Sequence, residues 1–291
     1  MKCTSKMLAA TSALALFAFG ATTAHAAGTT AGSTITNTAT INYQVGGISQ
    51  NAETASDTLT VDRKVNLTVA EVGNATTVVT PGSVSQVTTF TVTNNSNAPL
   101  DFALETLQQT TGTAAHGGTD SFNASNVRIY FDTDNSGGYN SGDALVTYLD
   151  EVAADGVRRV FVVSDIPLGL ANGSVAGVAL RATGKEAGTT GSQGANLVQT
   201  TGGNTAGMDT VFADTTAGTD DAARDAAHSA RDDYTVATAA LTVAKTSRIV
   251  SDPVNNTTNP KMIPGAVIEY CIAVTNGSGA TTASSIAVND P

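Results

Sequence analysis

With 291 residues, 25 acidic side chains against 14 basic ones and a net charge of −11, the chain repels polyanions, which excludes a nucleic-acid role. Trp is absent and aromatic residues make up only 5% of the chain, which argues against the ring platforms that carbohydrate sites use. The length suits one large domain or two ordinary ones.

Lys2 and Lys6 precede an apolar run from Met7 to Phe19, and Ala24-His25-Ala26 puts small residues at a cleavage position. This pattern predicts a secretory signal peptide over residues 1–26. The run is shorter than the roughly 20 apolar residues a spanning helix needs, and a Gly/Thr/Ser segment follows it, so the mature chain is expected to have no transmembrane segment. Cys3 lies ahead of the apolar run, which argues against a lipoprotein. Cleavage removes two basic residues and no acidic one, moving the net charge from −11 to −13. The protein is therefore expected to be secreted or held at the cell surface, with Cys271 as its remaining cysteine.

Period-two alternation then dominates. Ile35, Ala39, Ile41, Tyr43 and Val45 alternate with Thr, Asn and Gln, the pattern of a half-buried strand. Similar strands are expected at Val65-Leu67-Val69, Phe90-Val92, Leu100-Phe102-Leu104, Val127-Ile129-Phe131, Val160-Val162 and Val178-Leu180. Val45-Gly46-Gly47, Thr80-Pro81-Gly82, Asn94-Asn95-Ser96 and Asn172-Gly173 mark the turns between them. Short strands with Gly, Pro and Asn turns predict an all-β, antiparallel, immunoglobulin-like β-sandwich over 27–235.

Between two of these strands, Asp132-Thr133-Asp134-Asn135-Ser136-Gly137-Gly138-Tyr139-Asn140-Ser141-Gly142-Asp143 spaces oxygen side chains as a calcium loop of the EF-hand kind does. Asp132, Asp134, Ser136, Asn140 and Asp143 would supply side chains and Gly138 a backbone carbonyl, with Gly137 at the bend. Strands rather than helices flank the loop and its last position is Asp rather than Glu, so the expected cofactor is a structural calcium ion rather than a signalling one. The competing reading is a solvated Asp/Asn/Gly hairpin turn.

Further along, Gly184–Gly207 reads as a long, mobile loop. Asp220–Asp232, where alanines alternate with charges, reads as a short surface helix or a polar connector. His116 and His228 have no metal-ligand partner at regular spacing and are expected on the surface, while His25 leaves with the signal peptide. No Gly-x-Ser-x-Gly elbow, zinc helix or P-loop is present, so no enzyme is expected. Cys271 falls within an alternating pattern that predicts burial, or a disulfide to a residue beyond Pro291.

The chain also repeats itself. Leu67-Thr68-Val69-Ala70 returns as Leu241-Thr242-Val243-Ala244, and each copy is followed by a Pro-Gly turn (Pro81-Gly82, Pro264-Gly265) and a strand ending Val-Thr-Asn at Asn94 and Asn276. The second copy breaks off at Asp290-Pro291, so residues 236–291 are expected to form an incomplete, apparently truncated second β-sandwich module.

That second copy carries Leu241-Thr242-Val243-Ala244-Lys245-Thr246, Asn259-Pro260-Lys261, Ile263-Pro264-Gly265-Ala266, Glu269-Tyr270, Val274-Thr275-Asn276 and Val288-Asn289-Asp290-Pro291. In these segments it resembles the bacterial surface-protein conserved repeat domain, also called domain of unknown function eleven, over the last fifth of the chain, with a weaker echo between Val65 and Asn95. The resemblance implies opening strands of an immunoglobulin-like sandwich used in tandem on secreted or surface-displayed proteins, and no catalytic residue. It implies a structural or adhesion role, with other surface proteins or further copies of the chain as partners. A variant of this reading has Ile35–Val45 donated as a strand to a neighbour's sheet edge. The alternative class is an accessory binding module of a larger secreted enzyme or carbohydrate-binding protein.

Overall fold

Alternating apolar and polar residues, punctuated every few positions by turn formers, build strands throughout. The computed structural model describes residues 28–216 and 220–290, and among the described residues there are eighteen strands and no helix. Residues 1–26, expected to be a signal peptide, lie outside the described residues, with Cys3 and His25.

An N-terminal ribbon comes first: β1 (Thr34–Ile41), β2 (Gln44–Val45), β3 (Ile48–Ser49) and β4 (Glu53–Thr60). β1 pairs antiparallel with β4 from Thr34↔Thr60 to Ile41↔Glu53, and β2 and β3 carry the hairpin on to the Gly46-Gly47 turn. The expectation of a half-buried first strand is corrected here. Every residue of β1 is exposed, Ile35 at 43% and Ile41 at 64%, because no second layer packs on the ribbon among the described residues.

The sandwich follows, made of β5 (Arg63–Val65), β6 (Leu67–Glu71), β7 (Thr77–Val79), β8 (Gln86–Asn94), β9 (Leu100–Gln108), β10 (Ser125–Phe131), β11 (Ala144–Leu145), β12 (Tyr148–Val152), β13 (Val157–Asp165), β14 (Val175–Glu186), β15 (Thr210–Phe212) and β16 (Ala227–Val236). One sheet has the order β11-β10-β13-β8-β6 and the other β12-β9-β14-β16-β7. Pairing is antiparallel except where β16 meets β7 and where β15 meets β5. The inner faces interdigitate. Leu67, Phe90, Val92, Val160 and Val162 of the first sheet pack with Leu100, Phe102, Leu149 and Leu180 of the second in one cluster. Tyr234 is buried in a neighbouring cluster, and its hydroxyl donates to Gln86 O at 3.2 Å, tying the sheets together. β6 packs against β16, and His228 on β16 accepts the Val69 N–H through Nδ1 at 3.0 Å, satisfying a donor on the free edge of β6.

Two sequence expectations change here. Asp220–Asp232 is not a helix: its second half is β16, and Asp214 accepts the N–H groups of Asp225 and Ala226 at 3.0 Å each, while Arg224 and Ala226 adopt φ of 63° and 61°. A short carboxylate that captures backbone donors, followed by left-handed residues, breaks a helix that alanine content favours. Gly184–Gly207 is also more ordered than a loose loop. β14 runs on to Glu186, Leu197 packs on the core, and the buried Asp101 accepts the N–H groups of Gly188 and Gly194 through Oδ2.

The chain ends in β17 (Leu241–Ser251) and β18 (Val267–Asn276), an antiparallel pair. Its register reproduces the sandwich's own β6–β8 pair. Leu67↔Asn94, Thr68↔Thr93 and Val69↔Val92 correspond to Leu241↔Asn276, Thr242↔Thr275 and Val243↔Val274. Both Pro-Gly turns place Gly at positive φ, 79° at Gly82 and 93° at Gly265, and close with Ser83 N–H to Thr80 O at 3.0 Å and Ala266 N–H to Ile263 O at 2.9 Å. Burial differs: Leu67 is 1% exposed and Leu241 44%, because no second sheet covers β17 and β18 among the described residues. Cys271 is exposed, so its expected burial is corrected too.

Candidate metal centre

The Asp132–Asp143 loop connects β10 to β11, whose pairing Phe131↔Ala144 sets the two ends of the loop side by side. Asp132 is 4% exposed and Asp143 9%. Tyr139 turns back over the outer face of the sheet, 4.9 Å from the Tyr130 ring and 6.0 Å from that of Phe161, and anchors the loop.

The loop then wraps on its own oxygens. Asp132 accepts the N–H of Ser136 at 3.1 Å through Oδ1 and that of Gly137 at 3.0 Å through Oδ2. Asp134 accepts the Ser136 N–H at 3.0 Å, and hydrogen bonding from Ser136, hydroxyl first and backbone second, holds its carboxyl below the ordinary value of 3.8. Asp143 Oδ2 accepts the Asn140 N–H at 2.7 Å. Gly137 has φ of 85°, which favours Gly at the bend, and a Cβ there would displace the Arg159 guanidinium. A Cβ on Gly138 would meet nothing within 4 Å.

One oxygen each from Asp132, Asp134 and Asp143 lies within 4.8 Å of the other two. The Asn140 amide nitrogen binds the other expected ligands together, donating to Asp134 Oδ2 at 3.1 Å, Ser136 Oγ at 3.0 Å and Gly138 O at 3.4 Å. All six sequence-predicted site residues therefore converge. Arg159 Nη1, 3.7 Å from Asp132 Oδ2, supplies part of the counter-charge. Asp143 Oδ1 is buried with no hydrogen-bond partner among the described residues. An all-oxygen set with an unpartnered buried carboxylate oxygen fits a hard divalent cation, whose 2.3–2.6 Å bonds span separations of this size.

The sequence reading missed a second group. Glu71 on β6, His116 in the β9–β10 connection and Asp232 on β16 bring one ligand atom each within 4.8 Å of one another. The two histidines expected at the surface are not there: His228 is buried and His116 is half-buried. No spacing rule finds this group, because the β6–β16 packing and the fold of the 109–124 connection assemble it.

No protein-family model matches this chain, and no curated protein matches it either.

Proposed function

We propose that this chain is a non-enzymatic extracellular structural or adhesion protein of tandem immunoglobulin-like β-modules, of the conserved-repeat type it resembles, with a structural calcium ion in the β10–β11 loop. The observation that carries the reading is the shared register of β6–β8 and β17–β18, down to the Pro-Gly turns and the closing Asn94 and Asn276. Chance recurrence of Thr and Val in a Thr-rich chain does not also reproduce a pairing register. In this reading residues 1–26 direct secretion, and the partners are other surface proteins or further copies of the chain.

The calcium assignment rests on the loop's oxygens. Asp132, Asp134, Ser136, Asn140 and Asp143 would hold the ion by their side chains and Gly138 by its carbonyl. The ion would neutralise the carboxylates and fasten β10 to β11. The Asn140 nitrogen now sits among three of these oxygens; binding turns its carbonyl oxygen inward, at the cost of the 2.7 Å bond that oxygen accepts from the Gly142 N–H.

Thermal unfolding of the full chain, stripped of calcium and then titrated with calcium and with magnesium, tests the ion. Calcium at a hundredfold excess over its dissociation constant is expected to stabilise by about 2.7 kcal/mol, and Asp132→Ala/Asp134→Ala to abolish the rise. An unchanged melting curve, or an equal response to magnesium, refutes the calcium site. Secretion is tested separately by fractionating expressing cells: a product beginning at Ala27 outside the cytoplasmic membrane is expected, and an intact N-terminus retained in the cytoplasm refutes it.

A further inference from the structure

Glu71, His116 and Asp232 meet where the two sheets close on each other. Glu71 ends β6, the free edge of one sheet; Asp232 lies on β16 in the other; His116 comes from the β9–β10 connection. Each is held independently. Glu71 accepts the Asn74 N–H at 2.8 Å and 2.9 Å through its two oxygens, and Asp232 Oδ1 accepts the Asp233 N–H at 2.7 Å. The His116 backbone N–H donates to Asp233 Oδ2 at 2.6 Å, which fixes the connection against β16.

What this group lacks is a centre. His116 Nε2 lies 3.4 Å from Asp232 Oδ1, yet it is a buried atom with no hydrogen-bond partner among the described residues. The wholly buried Asp233 beside it has an Oδ1 in the same condition. Two carboxylates and an imidazole nitrogen that makes no hydrogen bond, brought to one point, are relieved together by a cation.

We infer that Glu71, His116 and Asp232 form a binding site for a divalent transition-metal ion of the zinc class, which clamps the two sheets and the β9–β10 connection together. The imidazole nitrogen selects this class, since calcium and magnesium take oxygen and zinc takes nitrogen and oxygen together. Bonds of 2.0–2.2 Å bring tetrahedral ligands about 3.4 Å apart, a spacing close to that of three atoms lying within 4.8 Å of one another. Three protein ligands leave a fourth position for water. The inference is independent of the calcium reading, because the two sites share no residue.

The test is isothermal titration of untagged, chelator-treated full chain with zinc chloride, paralleled by cobalt chloride followed by visible absorption and by imidazole NMR. The expected result is one equivalent bound, with tetrahedral cobalt bands and a metal-dependent shift of the His116 ring signals rather than those of His228. His116→Gln and Glu71→Gln are each expected to lower zinc affinity at least tenfold while melting like the parent chain in chelator. Asp134→Ala, in the other loop, and excess calcium are expected to leave zinc binding unchanged. Absence of saturable binding, a shift confined to His228, or binding lost in Asp134→Ala and kept in Glu71→Gln overturns the proposal; the NMR arm decides even where a variant fails to fold.

Discussion

Leu67 and Leu241 occupy the same place in a repeated motif, each opposite an Asn in the same register, yet one is 1% exposed and the other 44%. If the covering sheet rather than the motif supplies the stability, truncating the two must cost different amounts. Leu67 lies in the cluster formed by both sheets, beside Val92, Phe90 and Leu180, so Leu67→Ala removes buried methyls and leaves a cavity between β-layers that close only partly; about 3–4 kcal/mol is expected. Leu241 has about half of its surface in water already, with no layer above it, so Leu241→Ala is expected to cost about 1 kcal/mol or less. Urea unfolding of the full chain, followed by near-ultraviolet dichroism of the sandwich's buried aromatics, reads the difference as a fall in midpoint of about 1 M or more for Leu67→Ala against a small change for Leu241→Ala. Equal losses in that signal would mean that β17 and β18 are covered in solution and share one cooperative unit with the sandwich, and the reasoning from exposure would fail.

The glycines of the metal loop provide a second contrast: Gly137→Ala is expected to destabilise the calcium-free protein by about 1–2 kcal/mol and weaken calcium binding about tenfold, because of its left-handed φ and the crowding by Arg159, whereas Gly138→Ala stays near the parent. Equal effects in thermal melts and calcium titrations would refute that local geometry. Asp252 between β17 and β18 is held down to about 2, chiefly by the Asn255 N–H, with the Lys261 and Val254 N–H groups adding to it. A carboxyl lowered in the folded state contributes stability above its ordinary value near 3.8 and loses it as pH falls towards 2, so carboxyl NMR is expected to show Asp252 titrating near 2, and amide protection at Asn255 and Lys261 to fall over that window. Titration near 4 would refute the assignment.

Much of the sandwich was legible because strands such as β8 bury one face, so inward Phe90 and Val92 alternate with more exposed Thr89, Thr91 and Thr93. The same alternation misled at β1, since period two states which faces differ and not whether anything covers them; Ile35 and Ile41 have the pattern without the partner layer. β16 was illegible for the converse reason. Its alanines and charges are what a surface helix uses, and only the pairing of His228 with Ala182 and Tyr234 with Ala176 makes small residues the right choice there. The calcium-type loop could be read directly because its ligands are contiguous and a hairpin closes on them.

The two acidic clusters separate what a chain encodes locally from what it encodes by assembly. In the β10–β11 loop the backbone between Asp132 and Asp143 dictates which oxygens meet, so the set survives in any fold that pairs Phe131 with Ala144. Glu71, His116 and Asp232 meet only if β6 forms the sheet edge beside β16 and the 109–124 connection docks on β16, which makes the group a reporter of correct sandwich closure. The buried Asp232 and half-buried Glu71 around an imidazole weaken that closure when nothing neutralises them, yet they sit at the seam where an apolar side chain would serve packing better. A metal at the seam turns that cost into a fastening between two layers which no disulfide joins among the described residues, where Cys271 is free.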